Sequence, residues 1–128
     1  PFFTAGHWVP EMIEISGGVN MISKTGEHSQ RMIIQEIADV EPEIIILMPC
    51  GFDVKRTKKE YEKFLKDDQE WNKLQAVKKG NVFAVDANSF FSKPSIRTIE
   101  GIEILAKIIH PEIFSDLSVA KNSYMKLN

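Results

Sequence analysis

Apolar residues fall along this chain in two kinds of pattern, and their alternation predicts the fold. Residues 44–48 (IIILM) and 82–85 (VFAV) are continuous apolar runs rich in β-branched side chains. Such runs mark short strands covered on both faces. Other stretches are periodic. Met32, Ile33, Ile34, Ile37, Ala38 and Val40 recur at helical spacing until Pro42 stops them. Residues 55–73 are charged, with Tyr61, Phe64, Leu65 and Trp71 supplying a helical stripe. Residues 96–109 make the clearest helix, with Ile99, Ile102, Ile104, Leu105, Ile108 and Ile109 facing inward and His110-Pro111 ending it.

At the start, residues 1–5 are apolar and aromatic and suit a buried strand or its tail. Gly6, His7 and Trp8 follow as a turn. Pro10 suits a first helical turn, Met12, Ile13 and Ile15 continue it, and Gly17-Gly18 closes it. Residues 19–29 read as a polar connection, Lys79-Gly80-Asn81 as a turn, and the tail from Glu112 as one weak helical turn. Strands alternating with helices predict an α/β layered fold with a mostly parallel sheet. Residues 44–48 and 82–85 are its neighbouring parallel strands, covered by the 96–109 helix. Ligands bind such sheets beyond the carboxyl ends of the strands. The loops expected there are 6–8, 49–53 and 86–95, and all three carry aromatics.

Composition narrows the picture. The 128 residues suffice for one domain with a core. A net charge of −2 offers no positive field for nucleic acid. One cysteine excludes an internal disulfide and weighs against a thiolate zinc site. No apolar stretch reaches the roughly 20 residues of a membrane helix, and no signal peptide is visible. Residue 1 is a proline followed at once by Phe2 and Phe3, which reads as a piece of a longer chain.

Candidate chemistry gathers on the three loops. Cys50 is a nucleophile only if His7 supplies a base and Asp53 an orienting carboxylate; otherwise it packs or lines a pocket. His110 sits at a helix end before proline, where a cationic imidazole suits the dipole. His28 lies in a polar loop with no paired spacing, which leaves His7, beside Trp8 at a strand end, as the functional histidine. Gly17-Gly18 ends a helix instead of preceding one, so no phosphate cradle is supported. The charges from Lys55 to Lys66 read as a solvated helix face. Phe90 and Phe91 stand in a polar loop with no stripe to join, and exposed aromatics at a cleft mouth meet ligands.

Three segments, AGHWVPEMIEISGG, EPEIIILMPCGFDVKRT and VFAVDANSFFSKPSIRTIEGIEILAKIIHPE, carry a resemblance. Together they resemble the C-terminal lobe of the BtuF-like ABC-transporter substrate-binding proteins, in their cobalamin-binding branch. The resemblance covers nearly the whole chain and implies a three-layer α/β lobe, a Rossmann-like half of a class III periplasmic-binding-protein fold. It implies a second lobe and a linking helix outside residues 1–128, and a first strand of this lobe upstream of Pro1. It implies no enzyme, no catalytic cofactor and no bound metal, but a transported corrinoid such as cobalamin (vitamin B12). Gly6, His7, Trp8, Cys50, Gly51, Phe52, Asp53, Asn88, Phe90 and Phe91 then form half of the ligand cleft. Gln35 and Glu36 occupy the place where relatives dock on a membrane permease, and the protein works outside the cytoplasm.

The chain departs from that family in FSKPSIR, where relatives tend to read Phe-x-Arg-Pro-Gly-Pro-Arg. The competing ligand classes are a ferric siderophore or haem, which are anionic, and Lys55, Arg56, Lys93 and Arg97 border the loops. The reading from another functional class is a hydrolase using Cys50 and His7. If a strand is missing from the sheet edge, the chain is expected to form a homodimer through that edge.

Overall fold

The computed structural model describes residues 2–92 and 95–128. Pro1, Lys93 and Pro94, and with them the expected first residue of the initial strand and the Lys93 position at the loop margin, lie outside the described residues. The elements run β1 (Phe2–Phe3), α1 (Val9–Ile15), β2 (Arg31–Met32), α2 (Ile34–Val40), β3 (Ile45–Leu47), α3 (Val54–Phe64), α4 (Gln69–Asn72) and α5 (Gln75–Lys78). They continue β4 (Val82–Val85), α6 (Ala87–Phe90), α7 (Thr98–Ile109), α8 (Pro111–Phe114) and β5 (Tyr124–Lys126). The central sheet has the order β3-β4-β5.

The two apolar runs pair in parallel, Ile45 with Val82 and Leu47 with Ala84, as expected. Side chains alternate across a strand, so a continuous run can serve two cores. Ile44, Ile46 and Met48 pack on a cluster built from Val9, Met12, Val85, Phe90, Phe91, Ile104, Leu105 and Ile108. Ile45 and Leu47 pack on the other face, against Met32, Ile37, Tyr61, Trp71, Leu74, Val77 and Val82. The result is a three-layer α/β lobe with α1, α6 and α7 on one side and α2 to α5 on the other. β3 itself is only half-buried along its length, because it stands at the sheet edge among the described residues.

Several local expectations change. β5 was not expected; it adds an antiparallel partner to β4, with Phe83 opposite Lys126 and Val85 opposite Tyr124. The sheet is therefore mixed. The segment 55–73 is not one stripe: α3 stops at Phe64, and Asp68 starts α4 by accepting the Trp71 backbone N–H at 2.9 Å. That break buries Trp71 completely and leaves Phe64 mostly exposed. Met32 joins a two-stranded antiparallel pair, β1 with β2, so α2 begins two residues later than its spacing predicted and Ile33 is exposed. Ile99, expected to face inward, is exposed, because Gly101 and Ile104, not Ile99, lie on the inward side of α7.

Glycines set two close approaches. Gly17 takes φ +95° after α1, and the Gly18 N–H returns to the Ile13 carbonyl at 2.9 Å, the left-handed helix stop expected of this pair. Gly101 lets α7 reach α1, since a Cβ there would stand 2.7 Å from Met12 Cε and 3.2 Å from the Phe90 carbonyl oxygen. Among the described residues no helix is long and apolar enough to cross a membrane.

Candidate functional site

Because β3 and β4 run parallel, the loops that leave them emerge at one edge of the sheet. Residues 49–52 form a tight turn, closed by the Phe52 N–H donating to the Pro49 carbonyl at 3.0 Å. Gly51 holds its third position with φ +78°, a conformation most side chains resist. Cys50 occupies the turn's outer corner, exposed to solvent. The turn is tied to the loop after β4 twice. Gly51 N–H donates to Ser92 Oγ at 2.9 Å, and Asn88 N–H donates to the Phe52 carbonyl at 3.1 Å. Two of the three loops singled out in the sequence are thus one hydrogen-bonded unit.

The individual side chains in that unit have distinct tasks. Asp53 Oδ1 accepts the Arg56 backbone N–H at 2.8 Å, so this carboxylate caps α3. Among the described residues Cys50 makes no hydrogen bond to His7 or Asp53, and the geometry of a nucleophile with its base is not assembled. The Arg56 guanidinium stacks 3.8 Å from the centre of the half-buried Phe52 ring. Asn88 is exposed on α6, a single turn started by Asp86, whose Oδ1 accepts the Ser89 N–H at 3.0 Å.

That unforeseen turn overturns one expectation. Phe90 and Phe91 do not stand exposed at the mouth; they are 3% and 5% exposed and belong to the core shared by α1 and α7. A four-residue helix is too short to leave a stripe in the sequence, so the apolar pair looked unpartnered. The Arg97 guanidinium lies 4.4 Å from the centre of the Phe90 ring and forms the outer cover of that core.

The third loop is built differently. Thr4 and Gln30 bond twice: the Thr4 N–H to the Gln30 carbonyl at 2.8 Å, and the Gln30 N–H to Thr4 Oγ1 at 2.9 Å. Ser29 Oγ donates to the Thr4 carbonyl, and Ser23 Oγ to the Ala5 carbonyl at 2.8 Å. His7 sits at φ +59°, with its N–H on the Glu27 carbonyl at 2.6 Å and its carbonyl accepting from Gly26 N–H at 3.0 Å. Gly6 is buried beneath this crossing. A Cβ on it would stand 2.5 Å from the Ser29 nitrogen and 2.6 Å from the Glu27 oxygen.

The same crossing brings His28 to His7, with ring centres 5.0 Å apart at 83°. Sequence reading set His28 aside, and no linear spacing between the two histidines announces the contact. Trp8 lies 5.5 Å from the His7 ring and packs half-buried on the α1/α7 core. Its indole N–H is buried without a hydrogen-bond partner among the described residues.

Away from the loops, Gln35 and Glu36 lie exposed in the first turn of α2, where Gln35 Nε2 donates to Asp39 Oδ1 at 2.8 Å. His110 stands at the end of α7, with Nε2 2.9 Å from the Gly17 carbonyl and Nδ1 3.3 Å from Glu112. The Gly17 carbonyl first, and Glu112 second, raise its pKa above the ordinary 6.5. The imidazole therefore couples the ends of α1 and α7 as well as sitting at a helix terminus.

Comparison with known proteins agrees with this architecture. The structure superimposes on a TroA-like periplasmic binding protein, FepB, from Veillonella parvula, with a TM-score of 0.77 at 16% identity, covering 98% of this chain and 44% of that one. It also matches an ABC transporter substrate-binding protein from Listeria monocytogenes EGD-e, with a TM-score of 0.67 at 21% identity, covering 78% of this chain and 38% of that one. The chain thus spans less than half the length of either structure. No curated protein matches it. A family model described as periplasmic binding protein matches residues 1–89, well over half of the sequence, and the chain belongs to that family.

Proposed function

We propose that this chain is the C-terminal lobe of a two-lobed solute-binding protein that serves an ABC importer outside the cytoplasm, and that its solute is cobalamin or a related corrinoid. Periplasmic binding proteins carry solutes and are not enzymes, so the loops need only shape and contact. The observation that carries the reading is the pair of loops at the carboxyl edge of β3 and β4, locked together by the Gly51–Ser92 and Asn88–Phe52 bonds. His7, Trp8, Cys50, Gly51, Phe52 and Asn88 form the contacting surface, while buried Gly6 and the α3-capping Asp53 hold its loops in place. Phe90 and Phe91 support it from beneath, because both are buried. A flat macrocycle gains from aromatic faces, which Trp8 and Phe52 offer as half-buried rings. Gln35 and Glu36, exposed on α2, are the proposed contact to the permease.

An anionic ferric siderophore is the second reading, favoured by the Arg56 guanidinium stacked over Phe52 at the loop margin. Titration of the two-lobed protein with cyanocobalamin and with a ferric siderophore separates them. Tight binding of cyanocobalamin alone supports the first reading; binding of the siderophore alone replaces it. Self-association through β3, the half-buried edge strand, is a further part of the proposal. Light scattering at high micromolar concentration should give twice the 14.6 kDa chain mass, and a strictly monomeric value removes the idea.

A further inference from the structure

We infer that His7 and His28 form a two-imidazole site for a first-row transition-metal ion. Neutral imidazole nitrogen is a favoured donor for Zn²⁺, Ni²⁺ and Cu²⁺. A metal about 2.0–2.1 Å from one nitrogen of each ring, with bond angles between about 90° and 109°, holds the ring centres about 4.5–5.2 Å apart. The observed separation is 5.0 Å. The rings stand nearly perpendicular, so rotation about their side-chain torsions is the adjustment that brings a nitrogen of each onto one ion. Both side chains are exposed and have room to turn.

The pair is a built feature of the backbone. His7 adopts φ +59°, unusual for a residue with a side chain. It is held there by reciprocal backbone bonds to Gly26 and Glu27, immediately before His28. Gly6 supplies the close approach without which the two loops separate. Chelation gains most when donors are already positioned, because less ordering remains at binding. Among the described residues no third His, Cys, Asp or Glu joins the pair. The remaining coordination positions are left to water or to a donor atom of a bound solute. The inference does not depend on the corrinoid reading, since the probe is the metal ion alone.

Isothermal titration of the chain with Ni²⁺ and with Zn²⁺ tests it, in a Cys50→Ser background that removes the exposed thiol as a competitor. His7→Asn suits the left-handed backbone at that position, and His28→Gln keeps a polar side chain. We expect one ion per chain in the parent background. Each variant should lose affinity about tenfold or more, which is about 1.4 kcal/mol. His110→Gln, which alters the third histidine of the chain, should bind as the parent does. Gly6→Ala keeps both imidazoles but parts the loops, and should also weaken binding. Circular dichroism establishes that each variant is folded before titration. Failure to bind either ion below millimolar concentration overturns the inference. So does parental affinity in folded His7→Asn or His28→Gln.

Discussion

Two loop regions that pack on the core shared by α1 and α7 are held by opposite means. The unit formed by residues 49–53 and 86–92 rests on packing, with Phe90 and Phe91 driven into the core beneath it and, among the described residues, two hydrogen bonds tying its loops together. The corner formed by residues 4–8 and 23–30 packs on the same core through Ala5 and Trp8. It is held by a ladder of short polar contacts around Thr4, Gly6 and His7. Apolar burial is non-directional and tolerates small shifts, whereas hydrogen bonds fix angles. The first region can therefore adapt its exposed rim, while the second holds a single geometry.

The largest blow to the first region is Phe90→Ala, which removes a ring 3% exposed from the α1/α7 core. It should cost about 3–5 kcal/mol of folding stability, read from the urea midpoint. A loss confined to solute affinity would mean that the ring faces the ligand after all. Gly6→Ala strikes the second region, where a Cβ meets backbone atoms at 2.5–2.8 Å. Relief requires the loops to part, at about 1–3 kcal/mol. Amide exchange should accelerate at Gln30 and His7 and remain unchanged at Asn88. Acceleration at both regions alike would erase the distinction.

Asp53→Ala should cost about 1 kcal/mol, the ordinary value of a helix N-cap, by thermal melting. Solute affinity in the proposed two-lobed protein should change little, because the Asp53 carboxylate is committed to the Arg56 N–H. A large loss of affinity with stability intact would make Asp53 a ligand contact.

The smallest effect links the regions through His110, which reaches from the end of α7 to Gly17 at the end of α1. Its pKa is raised in the folded chain, by the Gly17 carbonyl and then by Glu112. Its stabilising contribution is therefore fully present below the ordinary value of 6.5 and is lost as pH rises through the raised folded value. Between pH 5.5 and pH 8.5, the parent should lose slightly more stability than His110→Gln does. Equal pH dependence in the two chains would show that the imidazolium contributes nothing to the α1–α7 contact.

What the sequence by itself determined follows from strong local signals. Five β-branched or long apolar residues in a row at 44–48 demanded a strand with two covered faces, and the alternation of Ile44, Ile46 and Met48 with Ile45 and Leu47 meets that demand. Pro10 and Gly17-Gly18 marked both ends of α1 by backbone chemistry that needs no tertiary context. The Cys50-Gly51 turn at the end of β3 was equally legible, because Gly51 supplies the positive φ such a turn requires. Tertiary structure decided the rest. β5 is three residues without an apolar pattern, and it becomes a strand only because β4 offers it an edge. The burial of Phe90 and Phe91 depends on a single-turn helix, far shorter than the window over which helical periodicity is recognised. The meeting of His7 with His28 depends on Gly6 admitting a distant backbone segment, a long-range contact whose geometry no local pattern records.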